Sequence, residues 1–388
     1  MVHCADHFPF TLYAYCPKLY YSLVLSTLLD PHVFARHHLT PAQFIVQLKR
    51  LVPAPLAHKY AWGFRWHWSL PSAYIFPKEK KGFTTARPII AYSHTFAAPL
   101  LSAVGILLYE LTQTAFPDWP SHPVPKLLRR LHATLSGLPS DSHVAMYNQD
   151  LTGFFTSIPQ DRLLQAVALA LSRYLDITGQ DPAEVHFSIN SSKSQRIGRV
   201  FRGTWKKAGQ GFRSISYTDV IDLVRLSLDL SQFTVMGLLV YQIRGSPIGS
   251  PISPPLCGLA ATIEEVYWGQ AYETLWRNRK CFALCFVERY VDNRLVILED
   301  GLQHSPEIRE FLDLGFYRDP VVLEMVSDKR FVGYTIDPQE RTVRYLLPPH
   351  SAQYRCPLSA TPRTHLLSGL VARVHCICRG VWPRTMIH

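Results

Sequence analysis

The chain has 388 residues, 47% of them hydrophobic and 18% charged, which excludes a disordered polypeptide and leaves room for one to three domains. Forty Lys and Arg against twenty-nine Asp and Glu give a net charge of +11, a surplus that points to a polyanionic partner, most often nucleic acid. No apolar run reaches membrane-spanning length, so no membrane partner is expected. Eight cysteines without a C-x-x-C pair read as reduced thiols of an intracellular protein, and a nuclear location stays open.

Residues 1–58 read as mostly helical, with apolar periodicity from Leu19 to Leu29 and a second segment from Thr40 to Leu51. Thr40-Pro41 has the form of an N-cap followed by proline at the first helical position. Tyr60, Trp62, Phe64, Trp66 and Trp68 alternate at period two, as on one face of a strand. Ser72 to Tyr92 reads as a hairpin whose tip carries Lys78, Lys80 and Lys81, with Arg87 on its return arm. Lys as a point charge and Arg as a planar fork suit such a tip to phosphates. Ala98 to Leu111 is a buried helix.

Val144 to Asp150 reads as a strand that ends on a carboxylate, and Ser157-Ile-Pro-Gln160 has capping-box spacing for a helix running to about Tyr174. Between Phe187 and Ser216 lie Lys193, Arg196, Arg199, Arg202, Lys206, Lys207 and Arg213, with Phe201, Trp205 and Phe212 interleaved and no acid. That mixture suits backbone tracking with base stacking. Gly245 to Leu256 is a loop of Gly, Ser and Pro that leads into a helix capped at Ser253 and running to about Trp276. It contains no Gly-Lys-Ser/Thr, which excludes a Walker-type loop. Two apolar runs flank Arg289-Tyr290-Val291-Asp292-Asn293-Arg294, which reads as a hairpin with Asp292-Asn293 at its tip. A further helical pattern spans Thr364 to Cys378. His375, Cys376 and Cys378, with Cys356, lack the second pair a zinc site needs.

Taken in order, these pieces resemble the motifs of reverse transcriptases. Asp150-Leu-Thr-Gly-Phe-Phe155 resembles motif A, and Gly245-Ser-Pro-Ile248-Gly249-Ser-Pro-Ile-Ser253-Pro resembles motif B. Tyr290-Val-Asp292-Asn293 resembles motif C, and Leu323-Glu324 with Phe331-Val-Gly333-Tyr334 resembles the region of motifs D and E. The hairpin ending in Arg87-Pro88-Ile89 resembles the fingers motif, and motif B is most similar to Penelope-like and telomerase-like members.

The resemblance implies an α+β right-hand polymerase. Residues 1–58 would be a helical extension, 59–140 the fingers, 141–336 a palm of antiparallel sheet flanked by helices, with a basic insertion at 187–216, and 337–388 a short helical thumb or a truncated C-terminus. It implies an RNA-templated DNA polymerase that binds Mg²⁺, with Mn²⁺ as a substitute, through Asp150, Asp292 and the Leu151 carbonyl. Its partners would be an RNA template, a DNA primer and deoxynucleoside triphosphates. Lys78, Lys80, Lys81 and Arg87 would grip the triphosphate, Phe155 would exclude the ribose 2′-hydroxyl, and Ile248 and Gly249 would lie beneath the nascent pair. Phe331, Gly333, Tyr334, Arg196, Arg199, Arg202 and Lys206 would meet primer and template, and Lys329 could protonate pyrophosphate. Two departures stand out: Asn293 occupies the place of a second aspartate and Ile248 that of a glutamine. Both also fit a nucleic-acid-binding protein that keeps the fold without the catalysis.

Overall fold

The computed structural model describes residues 2–5, 8–119, 122–139, 141–190, 200–203, 212–272, 284–327 and 329–345. They fall into two compact units interleaved along the chain: Met1–Pro120 with Gly153–Val266, and Ser121–Thr152 with everything from Tyr267 on.

The first unit opens with an antiparallel pair, β1 (Val2–Ala5) and β2 (Phe8–Ala14), where the sequence suggested helix. Phe8-Pro-Phe-Thr-Leu-Tyr alternates at period two, and that local pattern prevails over the apolar content of the segment. Helix α1 (Pro17–Leu28) and helix α2 (Pro41–Leu51) follow, separated by β3 (Phe34–Arg36). The Thr40 hydroxyl accepts from the Gln43 amide and the Gln43 side chain accepts from the Thr40 amide, a complete capping box. After the short helix α3 (Ala54–Lys59), the aromatic run does not form the expected strand. Ala61–Gly63 is a 3₁₀ turn, and the Trp68 amide turns back to the Arg65 carbonyl. Ring packing decides the path: Trp66 stacks on Phe64 at 4.9 Å and on Phe96 at 6.2 Å.

Strands β4 (Ser72–Pro77) and β5 (Ala86–Ala91) form the expected basic hairpin, and α4 (Ala98–Ala115) is the buried helix, with Leu100, Leu101, Val104, Leu107, Leu108 and Leu111 inside. The chain then supplies α5 (Val124–Gly137) and β6 (Val144–Thr152) to the second unit and returns with α6 (Gln160–Thr178). The N-cap of α6 is Pro159, with no side-chain cap. Ser157 is drawn instead into a turn, its amide donating to the Gly153 carbonyl at 2.7 Å, so the box expected there does not form.

Strands β7 (His186–Asn190), β8 (Val200–Gly203) and β9 (Phe212–Ser216) make a small sheet of order β8-β7-β9. Helix α7 (Val220–Asp229) leads to the hairpin of β10 (Phe233–Val235) and β11 (Leu238–Gln242). Its strands complete a five-stranded sheet, β3-β11-β10-β4-β5. Helix α8 (Ser253–Ala271) begins at the expected serine, whose hydroxyl donates to the Pro247 carbonyl at 2.6 Å.

The second unit is built on an antiparallel sheet of order β12-β13-β6-β14, with β12 (Leu284–Tyr290), β13 (Asn293–Glu299) and β14 (Val322–Met325). Leu127, Leu128, Leu131 and Leu135 of α5 pack on Val144, Phe286, Leu295 and Ile297 of one face. Phe331, Tyr334, Ile336 and Val343, from a three-stranded sheet β15 (Arg330–Phe331), β16 (Tyr334–Asp337) and β17 (Thr342–Tyr345), close the same core.

A buried polar knot ties α5 to β12. The Glu288 carboxylate has no exposed side-chain surface, and it accepts from the His122 amide (3.0 Å), His122 Nδ1 (2.9 Å) and the Arg130 guanidinium. Burial, then the charges of Arg130 and Lys126, push His122 down to about 4, so it is neutral in the fold at pH 7. An unfolded chain takes up that proton near pH 6.5, so stability is complete above this value and falls as pH drops from 6.5 towards 4. The denaturation midpoint is therefore expected to fall between pH 7 and pH 5, and to fall less in His122→Asn. Equal pH slopes for the two proteins would refute the assignment.

Candidate active site

The carboxylates of motifs A and C both belong to the second unit, and strand register sets their relation. On β13, Asn293 is the direct partner of Asp150 on β6, and the Leu151 amide donates to the Asp292 carbonyl at 2.7 Å. Directly opposed side chains in an antiparallel pair share a face, with Cβ atoms roughly 4.5–5.5 Å apart. Asp150 and Asn293 thus stand side by side near the end of the sheet, and Asp292 occupies the turn beside them. All three are half-buried. Asn293 Nδ2 donates to Asp292 Oδ1 at 3.0 Å and so orients that carboxylate.

The turn differs from the expected one by a residue. Tyr290 pairs with Asn293, which leaves Val291-Asp292 as the two loop residues. Val291 sits at φ +58°, a costly conformation for a β-branched side chain. Arg289 Nη1 donates to the Val291 carbonyl at 3.1 Å and helps hold it there. Strain at a carboxylate-bearing turn is the kind of local cost that functional sites carry.

Sequence reasoning placed Glu324 in a motif and gave it no role. Register puts it opposite Asp150 on the other flank, so one face of β13-β6-β14 carries Asn293, Asp150 and Glu324. Among the described residues, however, no group of three or more His, Cys, Asp or Glu side chains converges to hold a metal ion. The donor chemistry is nevertheless all oxygen, and Mg²⁺ takes one or two carboxylates and completes its shell with water and substrate phosphates. Asp150, Asp292 and a main-chain carbonyl fit that requirement.

Phe331 and Tyr334 are 2% and 3% exposed and belong to the core, while Val332 and Gly333, at φ +51° and +83°, form the turn between them. Lys329 pairs with Asp337 at 2.8 Å.

The first unit collects another set of predicted residues. Ser246 donates its amide to the Phe155 carbonyl at 2.8 Å, and Arg244 Nε donates to the Ser157 carbonyl at 2.8 Å. The motif B loop is thereby fastened to the turn that carries Phe155. On its other side the Ile90 amide donates to the Ile248 carbonyl at 3.2 Å, which joins the loop to the strand bearing Arg87. Phe155 is half-buried, its ring edge-on to buried Phe154 at 5.0 Å. Arg87 and Lys81 are exposed and Lys78 half-buried. Gly82 and Phe83 turn the hairpin tip at φ +59° and +60°, and the Phe83 ring rests against Tyr13 and Tyr15. The Lys80 side chain, Arg196, Arg199, the Arg202 side chain, Lys206 and the chain beyond 345 lie outside the described residues.

No protein-family model matches the chain. No curated protein matches it either. Solved structures do. Telomerase from Candida albicans, in complex with a TWJ fragment of telomeric RNA, superposes over 89% of this chain and 53% of its own, with a TM-score of 0.58 at 12% identity. Apo telomerase from Candida tropicalis covers 97% of this chain and 60% of its own, with a TM-score of 0.55 at 13% identity. The chain has a polymerase-like fold. It spans a little over half the length of these telomerase chains, and identity this low speaks for the fold alone.

Within this polymerase-like fold, Asp150, Asp292 and Asn293 meet in the second unit, and Phe155, Ile248, Gly249 and the strand of Arg87 meet in the first. Two residues next to the carboxylates were given no role by sequence reading. Gln149 and Arg294 are both 0% exposed and hydrogen-bond to one another. The available signal was a cation heading the apolar run Leu295-Val-Ile-Leu298.

Proposed function

We propose that this protein is an RNA-templated DNA polymerase that extends a primer with deoxynucleotides. The single observation that carries the reading is the β6–β13 register, which sets Asp150 beside the Asp292 turn. Divalent metal bound there would stabilise the attacking 3′-oxygen and the leaving pyrophosphate oxygen. Asp150 and Asp292 would bind it, with the Leu151 carbonyl as a further donor. Arg87, with Lys78 or Lys81, would bind and orient the triphosphate through charge-assisted hydrogen bonds. The Phe155 ring would stand under the sugar and leave no room for a 2′-hydroxyl. Loop 245–253, with few side chains of its own, would let a base pair approach its backbone.

The test is primer extension by the full chain on poly(rA)/oligo(dT) with Mg²⁺ or Mn²⁺. Incorporation of dTTP is the expected result, and its absence from folded protein that still binds the duplex would overturn the reading. Phe155→Val is expected to raise incorporation of UTP relative to dTTP by roughly tenfold or more, the scale of about 1.4 kcal/mol of lost steric discrimination. Unchanged sugar selection would remove Phe155 from this role. A second reading, a nucleic-acid binder without catalysis, is favoured by Asn293, a neutral residue whose amide engages an oxygen of Asp292.

A further inference from the structure

Asp150 and Asn293 form one rung of the β6–β13 ladder, and Gln149 and Arg294 form the next. Because side chains alternate, this second rung faces away from the carboxylates, into the opposite side of the sheet. There Arg294 Nε and Nη2 both donate to Gln149 Oε1, at 2.9 and 2.7 Å. Nη2 also donates to the Phe311 carbonyl at 2.6 Å, and Gln149 Nε2 donates to the Leu312 carbonyl at 2.9 Å. Those carbonyls end the short helix Pro306–Leu312, where a cation is electrostatically favoured. The guanidinium also lies over the rings of Phe311, Phe316 and Tyr317, at 4.4, 5.0 and 5.6 Å.

A fully buried guanidinium is an expensive way to fill space, and an apolar side chain of similar volume serves stability as well or better. What the pair supplies is register. Its hydrogen bonds close only when Arg294 faces Gln149, and that alignment is what puts Asp150 opposite Asn293. A slip of one residue would turn every side chain of β13 to the other face.

We infer that Arg294 and Gln149 are positioning residues, a register lock that keeps Asp150 beside the Asp292 turn so that both carboxylates can serve a divalent cation. The inference rests on the reading of these carboxylates as a cation site. Arg289, the cross-strand partner of Arg294, holds the turn itself through the Val291 carbonyl.

The experiment is Mn²⁺ titration of the full chain without nucleotide or nucleic acid, with free Mn²⁺ followed by electron paramagnetic resonance and folding followed by circular dichroism. Asp292→Ala is expected to abolish the protein-bound fraction. Arg294→Met and Gln149→Leu are expected to weaken Mn²⁺ binding about 10–100-fold, the usual cost of losing a group that orients a ligand. Arg294→Lys, which keeps a donor, should recover part of that loss. Val296→Ala, a core truncation on the same strand at 0% exposure, should lower the melting temperature and leave Mn²⁺ affinity unchanged. Wild-type affinity in both Arg294→Met and Gln149→Leu overturns the lock, as does an equal loss in Val296→Ala. If Arg294→Met does not fold, Gln149→Leu decides. Binding that Asp292→Ala leaves intact overturns the underlying reading of the carboxylates instead, whatever the Arg294 variants do.

Discussion

Alanine at Asp292 is expected to lower primer extension by about 10³-fold with little change in melting temperature. Bound metal contributes several kcal/mol of charge stabilisation at the transition state, and each ~1.4 kcal/mol is a factor of ten, which sets the scale of the loss. The stability side follows from the turn. Asp292 is half-exposed in a two-residue loop, with the neighbouring Asn293 amide as its side-chain partner at 3.0 Å. Removing such a carboxylate costs little, in the range of ordinary surface substitutions at about 0.5 kcal/mol. Alanine at Asp150 should give a loss of activity of the same order, since the register makes the two carboxylates one arrangement. Effects of groups that act as a unit do not add, so the double variant should be little worse than either single one. Asn293→Asp is the informative counterpart: a third acid beside Asp150 should tighten divalent binding and raise activity at limiting Mg²⁺. Folded Asp292→Ala protein that extends primers at the wild-type rate would end the polymerase reading at this site. Polymerase activity absent from wild type and gained in Asn293→Asp would instead establish a fold that lost catalysis through one residue.

Local signals were legible wherever the chain's own neighbours decide its conformation. Thr40, Pro41 and Gln43 specify the start of α2, and the arms around Lys78 to Lys81 specify a hairpin, because capping and turn chemistry act over three or four residues. The ordered acidic and Gly/Pro motifs were legible for the same reason, and they led to the polymerase-like fold. Failures came where a distant partner decides. Trp66 leaves the strand-like alternation of Tyr60 to Trp68 because its ring packs on Phe96, which the pattern cannot reveal. Ser157 matches a capping box in sequence, yet the turn to Gly153 claims it. The Asp-Asn pair has the right composition for a turn, but pairing with Asp150 and Tyr290 places Asn293 in the strand and forces Val291 to positive φ. Arg294 is the clearest case. Its burial depends on the Gln149 side chain, the carbonyl at 311 and the rings at 311, 316 and 317, a set that only the folded sheet assembles.

Gly249→Ala is expected to damage the motif B loop far more than strain alone explains, and comparison with Gly237→Ala isolates why. Both glycines have positive φ, +97° and +80°, so alanine at either pays a backbone strain of order 1–3 kcal/mol. At Gly237 a methyl would meet nothing within 4 Å, and strain is the whole cost. At Gly249 the methyl carbon would lie 2.1 Å from the Ile90 carbonyl oxygen and 3.1 Å from the Ile90 carbonyl carbon. That neighbour is backbone in mid-strand, paired with Ala73 on β4, and cannot swing aside as a flexible side chain would. The loop must therefore retreat, and the bond from the Ile90 amide to the Ile248 carbonyl at 3.2 Å is lost with it. Gly249→Ala should consequently destabilise the first unit by about 1–2 kcal/mol more than Gly237→Ala, the added cost of one broken hydrogen bond and its displaced backbone. Because the same bond connects the loop to the strand of Arg87, the damage should also appear as a raised KM for deoxynucleotide, which Gly237→Ala should leave unaltered. Denaturant midpoints measure the first difference and single-nucleotide incorporation the second. Equal destabilisation by the two alanines would show that the loop yields without cost, and the close approach at Ile90 would then have no part in holding motif B to the basic hairpin.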